Sequence, residues 1–325
     1  MNTRASLPLR PLGRSGIDVS VLSLGSWRTF ERIDPGTALD VMVAAREAGI
    51  TFLDDARYDD ESGTAPLPTG WSEVLFGRLF REAGWVRSEV AVANKLWWEF
   101  WPDQSAADEL DGSLERMGLA NVDLIYSMQL PDGLTVPAAV ELIAELLATG
   151  RARAWGIGNW QPEQVAEAVE AAEATGVPGP CAAQLPYSLV RRDWVDDPAM
   201  GDALALGGIG LVASFSLAGG TLSGKYLLGE GGRATGRTDP ATQAGLLAAA
   251  DLGALAREWD IPAAQLALAF ALDHPRLSSL LFGATSPAQL EANLGALDVH
   301  ARLEPEQWMR LRQVGASSPS NRPAD

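Results

Sequence analysis

Cysteine occurs once in 325 residues, at Cys181, which excludes an internal disulfide and a multi-cysteine metal site and suits a reducing compartment. Basic residues are scarce as well: 25 Lys and Arg stand against 42 Asp and Glu, a formal charge of -17. A chain this acidic repels phosphate backbones and anionic membrane surfaces, which argues against nucleic-acid and membrane partners. Long apolar runs are missing too. No stretch goes far enough without polar residues to span a bilayer, and MNTRASLPLRPLGRSG lacks the apolar core of a signal peptide. A soluble, cytoplasmic protein is expected, with no bound metal. Histidine is limited to His274 and His300.

With 47% hydrophobic residues, the chain has material for a large core. Short β-branched or apolar runs recur along it: VLSLGS from Val21, TFLDDA from Thr51, VAVANKL from Val90, VDLIYSMQ from Val122, AWGIGNW from Ala154, CAAQLPYS from Cys181, GLVASFSL from Gly210 and SSLLFGA from Ser278. Helix-period segments such as ALDVMVAAREAG, PAAVELIAELLATG and PEQVAEAVEAAEATG lie between them, each ending in a Gly suited to a left-handed cap. Alternating strand and helix implies parallel strands buried on both faces. Eight such units with no dividing linker predict an α/β fold, a single (β/α)8 TIM barrel over residues 1–325; a doubly wound sheet is the structural alternative. LPLRPLGRSGIDVS predicts an N-terminal β-hairpin turning at Arg14-Ser15-Gly16 and plugging one barrel mouth. The polar loop DDESGTAPLPTG and the Gly-rich segment from Lys225 to Thr242 interrupt the spacing, and the latter is expected to be mobile.

Polar groups stand at the C-terminal ends of these apolar runs: Asp54 and Asp55, Asn94 and Lys95, Gln129, Asn159, Gln184, Ser214 and Ser216. In a barrel those ends converge on one mouth, where active sites of this architecture sit. Asp54, Tyr58 and Lys95 form the sharpest set. A lysine ammonium held by a carboxylate and placed beside a phenol lowers the phenol's pKa from about 10, and such a tyrosine can protonate a carbonyl oxygen while hydride arrives at carbon. A buried Asp-Lys pair with a packed aromatic would look the same in sequence.

Taken in order, LGRSGIDVSVLSLGSW, TFLDDARY, SEVLFGRLF, VAVANKLW, GRARAWGIGNW, Q-x-x-YS, GIGLVASFSLAGGTLSGKY and FGATSPAQLEANL resemble the aldo-keto reductases over nearly the whole chain. The resemblance implies an NAD(P)H-dependent oxidoreductase acting on an aldehyde or ketone, with NADP(H) as the usual cofactor and NAD(H) as the other candidate. It places the family's Asp, Tyr and Lys on Asp54, Tyr58 and Lys95. Asn159 and Gln184 fall to the nicotinamide carboxamide, and Gly25, Ser26, Trp27 and Asp54 to the same end. Ser214, Phe215, Ser216, Leu217, Gly219 and Leu222, with Gly283, Ala284, Thr285, Ser286, Gln289 and Asn293, fall to the pyrophosphate and adenosine end.

Four departures bear on function. The family's histidine is absent from DLIYSMQLPD; counting along the strand puts Met128 in its place, whereas counting back from Pro131-Asp132 puts Gln129 there. An amide can donate to a substrate oxygen and a thioether cannot, so Gln129 is the expected fourth residue. The Asp-to-Tyr spacing is one residue short, which leaves Asp54 or Asp55 to hold the lysine; the Phe52-Leu53 register favours Asp54. Ser214 stands where an aromatic usually stacks, and Phe215 can replace it only if the strand bulges; a straight strand, the expected case, turns Phe215 toward the helices. Finally, Gly283–Asn293 carries no Arg or Lys for a 2′-phosphate, so the preference for NADPH is expected to be modest. Trp27, Trp97, Trp98 and Trp101 are expected to wall a pocket for a small apolar or aromatic carbonyl compound, while Arg191-Arg192 reads as a solvated helix start, with an anionic substrate as the weaker reading. The missing histidine also admits a cofactor-binding sensor or partner subunit with little turnover, or a reductase of a conjugated C=C or imine. Oligomeric state is not legible.

Overall fold

The computed structural model describes residues 7–61, 63–229 and 234–316. Two short strands, β1 (Leu9–Pro11) and β2 (Asp18–Ser20), pair antiparallel as a hairpin. Eight parallel strands then close into a barrel: β3 (Leu22–Gly25), β4 (Phe52–Asp54), β5 (Ala91–Leu96), β6 (Val122–Ser127), β7 (Ala152–Gly158), β8 (Ala182–Pro186), β9 (Gly210–Ser214) and β10 (Leu277–Phe282). Closure comes from β10 pairing with β3, Leu280 opposite Leu22. The eight apolar runs of the sequence correspond to these eight strands.

Each strand is wedged between two apolar layers, which is why the runs are nearly continuous rather than alternating. Leu124 and Tyr126 point into the barrel with Phe52, Ala91, Ala93 and Val212, whereas Val122 and Ile125 pack outward on the helices. The helices begin and stop where local chemistry dictates. Asp34 accepts from the Thr37 amide ahead of helix Pro35–Glu47, and Ser286 accepts from the Gln289 amide ahead of helix Pro287–Leu294. Gly176 and Gly208 end their helices in the left-handed conformation.

The hairpin closes the N-terminal end of the barrel, as its sequence suggested. Leu12, Ile17 and Val19 join the interior cluster, and Ser278 donates its hydroxyl to the Pro11 carbonyl at 2.7 Å. Gly13 has φ +54°, and a Cβ there would run into the Cys181 carbonyl, so no other residue fits without moving backbone. With that end plugged, the barrel interior opens at its C-terminal mouth. The long loop after β4 contains residue 62 and the Gly-rich segment contains residues 230–233, which lie outside the described residues, so the expected mobility of that segment falls partly outside them. The segment's described parts include a short turn at Lys225–Leu228, Ala234 donating its amide to the Tyr226 hydroxyl at 2.8 Å, and, from Pro240, the start of helix Pro240–Trp259. No helix among the described residues is long and apolar enough to cross a membrane.

Candidate active site

Strand alternation sends Phe52 and Asp54 of β4 into the barrel and Asp55, the next residue, outward. Lys95 of β5 points inward at the same level, and its Nζ donates to Asp54 Oδ1 at 2.6 Å. The same ammonium reaches the Tyr58 hydroxyl at 3.1 Å. Gln184 of β8 crosses the barrel to donate from Nε2 to Asp54 Oδ2 at 2.8 Å, so both oxygens of the carboxylate are engaged. Asp54 and Lys95 are buried, whereas Tyr58 is half-buried and faces the open mouth. Despite the shortened Asp-to-Tyr spacing the Tyr58 hydroxyl reaches Lys95, and the Gly70 amide donates to the Tyr58 carbonyl at 2.9 Å.

Asp55 takes no part in holding the lysine. It receives the Ser26 hydroxyl on one oxygen, and the other oxygen is buried without a partner. Burial first, and then the Glu73 carboxylate, push its pKa well above the usual range. The Tyr58 phenol is also pushed well up, by loss of water and by the carboxylates of Asp54, Asp55, Glu73 and Glu31. This corrects the expectation that Lys95 lowers it: one ammonium is outweighed by burial and several acids. The phenol is held in the protonated form, the form a proton donor needs.

Above this cluster lies a cavity of about 360 Å³. Gly25, Trp27, Asp54, Tyr58, Lys95 and Trp97 line one side of it, and Asn159, Gln184, Ser214, Phe215, Ser216, Leu217 and Gly219 line another. Gly283, Thr285 and Gln289 complete the far end. The remaining expected residues lie behind this surface. Ser26 is occupied with Asp55, Leu222 and Ala284 are core, Ser286 caps its helix, and Asn293 is buried with its Nδ2 unpaired.

Three expectations are corrected by the geometry. Gln129 is exposed and does not reach the cavity, which Met128 lines instead. Period-two alternation decides it: Leu124, Tyr126 and Met128 face inward, whereas Ser127 faces out to accept the Trp98 indole N–H at 2.9 Å. Trp98 is therefore core, and Trp101 packs edge-on against it at 6.0 Å, so neither walls the pocket. Phe215, by contrast, is not turned to the helices. It adopts φ +54°, a strained value for a bulky residue, and its ring meets Trp27 at 5.0 Å beside the cavity.

Some residues of the site escaped the sequence reading. Glu109 accepts the amides of Trp97 and Trp98 at 2.8 and 3.2 Å, which fixes the loop that presents Trp97. Lys225 lines the cavity beside Gly220, Thr285 and Gln289. Lys95 and Lys225 are the only lysines in the chain, and both open on this cavity. That count was visible in the sequence.

Features of the far end match a dinucleotide. Ser216 Oγ is buried without a partner, Ala218, Gly219 and Gly220 turn the chain through positive φ, and a Cβ at Gly219 would meet nothing. Backbone opened in this way, with a helix N-terminus at Pro287 and one ammonium nearby, suits phosphate oxygens. A plugged (β/α)8 barrel with polar groups converging on its free mouth has the architecture of a barrel enzyme. The class is oxidoreductase, and the chain belongs to the aldo/keto reductase family, whose model matches residues 21–316. A probable voltage-gated potassium channel subunit beta of Oryza sativa subsp. japonica is 32% identical over 330 residues, spanning 95% of this chain and 96% of that protein. Another protein of that description, from Arabidopsis thaliana, is 29% identical over 327 residues, with the same coverage. L-glyceraldehyde 3-phosphate reductase of Escherichia coli (strain K12) is 32% identical over 312 residues, covering 89% of this chain and 87% of the reductase.

Proposed function

We propose that the chain is a cytoplasmic, NADP(H)-dependent reductase of an aldehyde or ketone with a small apolar or aromatic body, and that Tyr58 protonates the carbonyl oxygen. The observation carrying this reading is the Lys95 ammonium, shared between Asp54 and a protonated Tyr58 whose hydroxyl faces the cavity. When bound, the nicotinamide supplies hydride to the carbonyl carbon. Asn159 and the free Oε1 side of Gln184 would hold its carboxamide. Ser216, Gly219 and Lys225 would hold phosphate oxygens, and Thr285 and Gln289 the adenosine end. Trp27, Trp97 and Phe215 exclude water from the reacting atoms and present flat apolar faces to a substrate. Lys95 orients the phenol, and Asp54 fixes Lys95.

Met128 gives a second reading its footing, that of a cofactor-binding partner with slow turnover. A thioether cannot donate to a substrate oxygen, so Met128 adds no second donor opposite Tyr58. The names of the two plant relatives fit this alternative, and that of the bacterial reductase fits the first. Fluorescence titration with NADPH and NADH, followed by cofactor oxidation with a panel of aldehydes and ketones, separates them. Turnover at roughly 1 s⁻¹ or faster is expected of a reductase. Tight cofactor binding with no turnover across the panel contradicts the first reading. Lys225 and the helix N-terminus favour NADPH by about tenfold, since the Gly283–Asn293 stretch brings no cation of its own.

A further inference from the structure

Of the adjacent arginines after β8, only one is committed to the fold. Arg192 donates from Nε to the Leu189 carbonyl at 3.0 Å and from Nη2 to the Val314 carbonyl at 2.8 Å, and its guanidinium lies over the Phe270 ring. The Arg191 side chain makes no such bonds. Its Nε is buried with no hydrogen-bond partner, and among the described residues its guanidinium has no ion-pair partner. Asp193 and Asp239 act on it electrostatically without closing to ion-pair distance. The pair does not open a helix; the Ser188 and Arg191 backbones bond each other across a tight turn, which fixes where the side chain emerges.

From that turn the Arg191 guanidinium reaches the Phe215 ring, 5.2 Å from its centroid. Phe215 lines the cavity, is 38% exposed, and carries the strained left-handed backbone described above. Nε is closed off from solvent, so the two Nη groups, which have no hydrogen-bond partner among the described residues, are the donors left for an acceptor beside Phe215. A chain of net charge -17 also repels anions at long range, so an anionic ligand needs a local cation at the point of entry.

We propose that Arg191, held against Phe215, is a specificity-determining residue that takes an oxyanion substituent of the substrate, such as a carboxylate, at the cavity mouth. The substrate then has a carbonyl at Tyr58, a flat or apolar body between Trp27, Trp97 and Phe215, and a negative charge at its outer end. The inference rests on the reductase reading, and its test is built to fail separately.

Steady-state kinetics with NADPH compare 4-carboxybenzaldehyde with 4-methylbenzaldehyde, which have nearly the same shape and differ in charge. In Arg191→Gln, KM for the carboxylate is expected to rise about 10- to 100-fold, while KM for the methyl compound and the NADPH dissociation constant stay within about twofold. Arg191→Lys, keeping charge but losing the planar fork, falls between. Equal losses on both aldehydes would make Arg191 a prop for Phe215 and overturn the proposal. A loss confined to NADPH binding would assign the oxyanion to the cofactor and overturn it too. If the wild type reduces neither aldehyde, the reductase reading fails, and calorimetry with 1,4-benzenedicarboxylate decides Arg191 alone. Binding at least tenfold weaker in Arg191→Gln supports the site; equal binding, or none in the wild type, removes it.

Discussion

The Tyr58 hydroxyl has one cation at 3.1 Å and a ring of carboxylates around it, and this balance sets its chemistry. Lys95 orients the phenol without turning it into a phenolate. Replacing Lys95 by Met leaves Asp54 with Gln184 as its partner in a buried setting, so the variant should lose about 3–5 kcal/mol of stability together with its activity. Thermal melting and turnover on one preparation check both; an active, fully stable variant would refute the arrangement. Asp55 gives a pH test. Burial raises its folded-state pKa above the unfolded value, so its contribution to stability is full below about pH 3.9 and is lost as pH rises toward the folded pKa. Asp55→Asn has no such titration. Its melting temperature relative to wild type should therefore climb between pH 4 and pH 8, and a constant difference would show that Asp55 ionises normally. The identities of Asp54, Tyr58 and Lys95 were legible because residue type and register carry them. The direction of the Tyr58 shift was not, since Glu31 and Glu73 reach the site from segments that no spacing argument links to it.

At the scale of elements, β6 shows how a register is won or lost by one residue. Counting back from Pro131-Asp132 measures a loop, and loops do not preserve alternation; counting along the strand from Leu124 and Tyr126 does. Met128→His therefore puts an imidazole into the cavity. It should add a pH limb near about 6.5 and raise reduction of simple aldehydes by about tenfold or more. Gln129→His, at an exposed position, should change neither rate nor pH profile. Pre-steady-state rates against pH for the two variants settle the register, and the reverse pattern would place Gln129 in the site. Gly158 is part of the same fit, because a Cβ there would meet Met128 Sδ at 2.5 Å. The tryptophan loop after β5 misled for a related reason. Three tryptophans in one loop suggested a pocket wall, but Trp98 enters the core because Ser127 offers its indole an acceptor from a neighbouring strand. Phe215 went the other way, since a left-handed residue at a strand end breaks the alternation that would have buried it.

For the whole molecule, the eight-fold alternation and the hairpin were legible because a closed parallel barrel demands long, doubly buried apolar runs and a plug. Gly13 is where the plug meets the barrel. Gly13→Ala combines a positive φ with a clash against the Cys181 backbone, and should cost about 2 kcal/mol or more, measured by denaturant unfolding. A neutral outcome would mean that the hairpin sits loosely. What the barrel cannot announce in sequence is the ligand face, where residues from β3 through β10 meet only after closure; Lys225 and Arg191 belong to that category. The central claim is that a protonated Tyr58, oriented by Lys95, donates to a carbonyl oxygen. Its most direct test is the single-turnover decay of NADPH absorbance on mixing with an aldehyde, in wild type and Tyr58→Phe, from pH 6 to 10. Because the phenol's pKa is raised, the wild-type rate should hold level across that range. Tyr58→Phe should be slower by about 10²- to 10⁴-fold with NADPH binding unchanged. An undiminished rate in Tyr58→Phe would contradict the account.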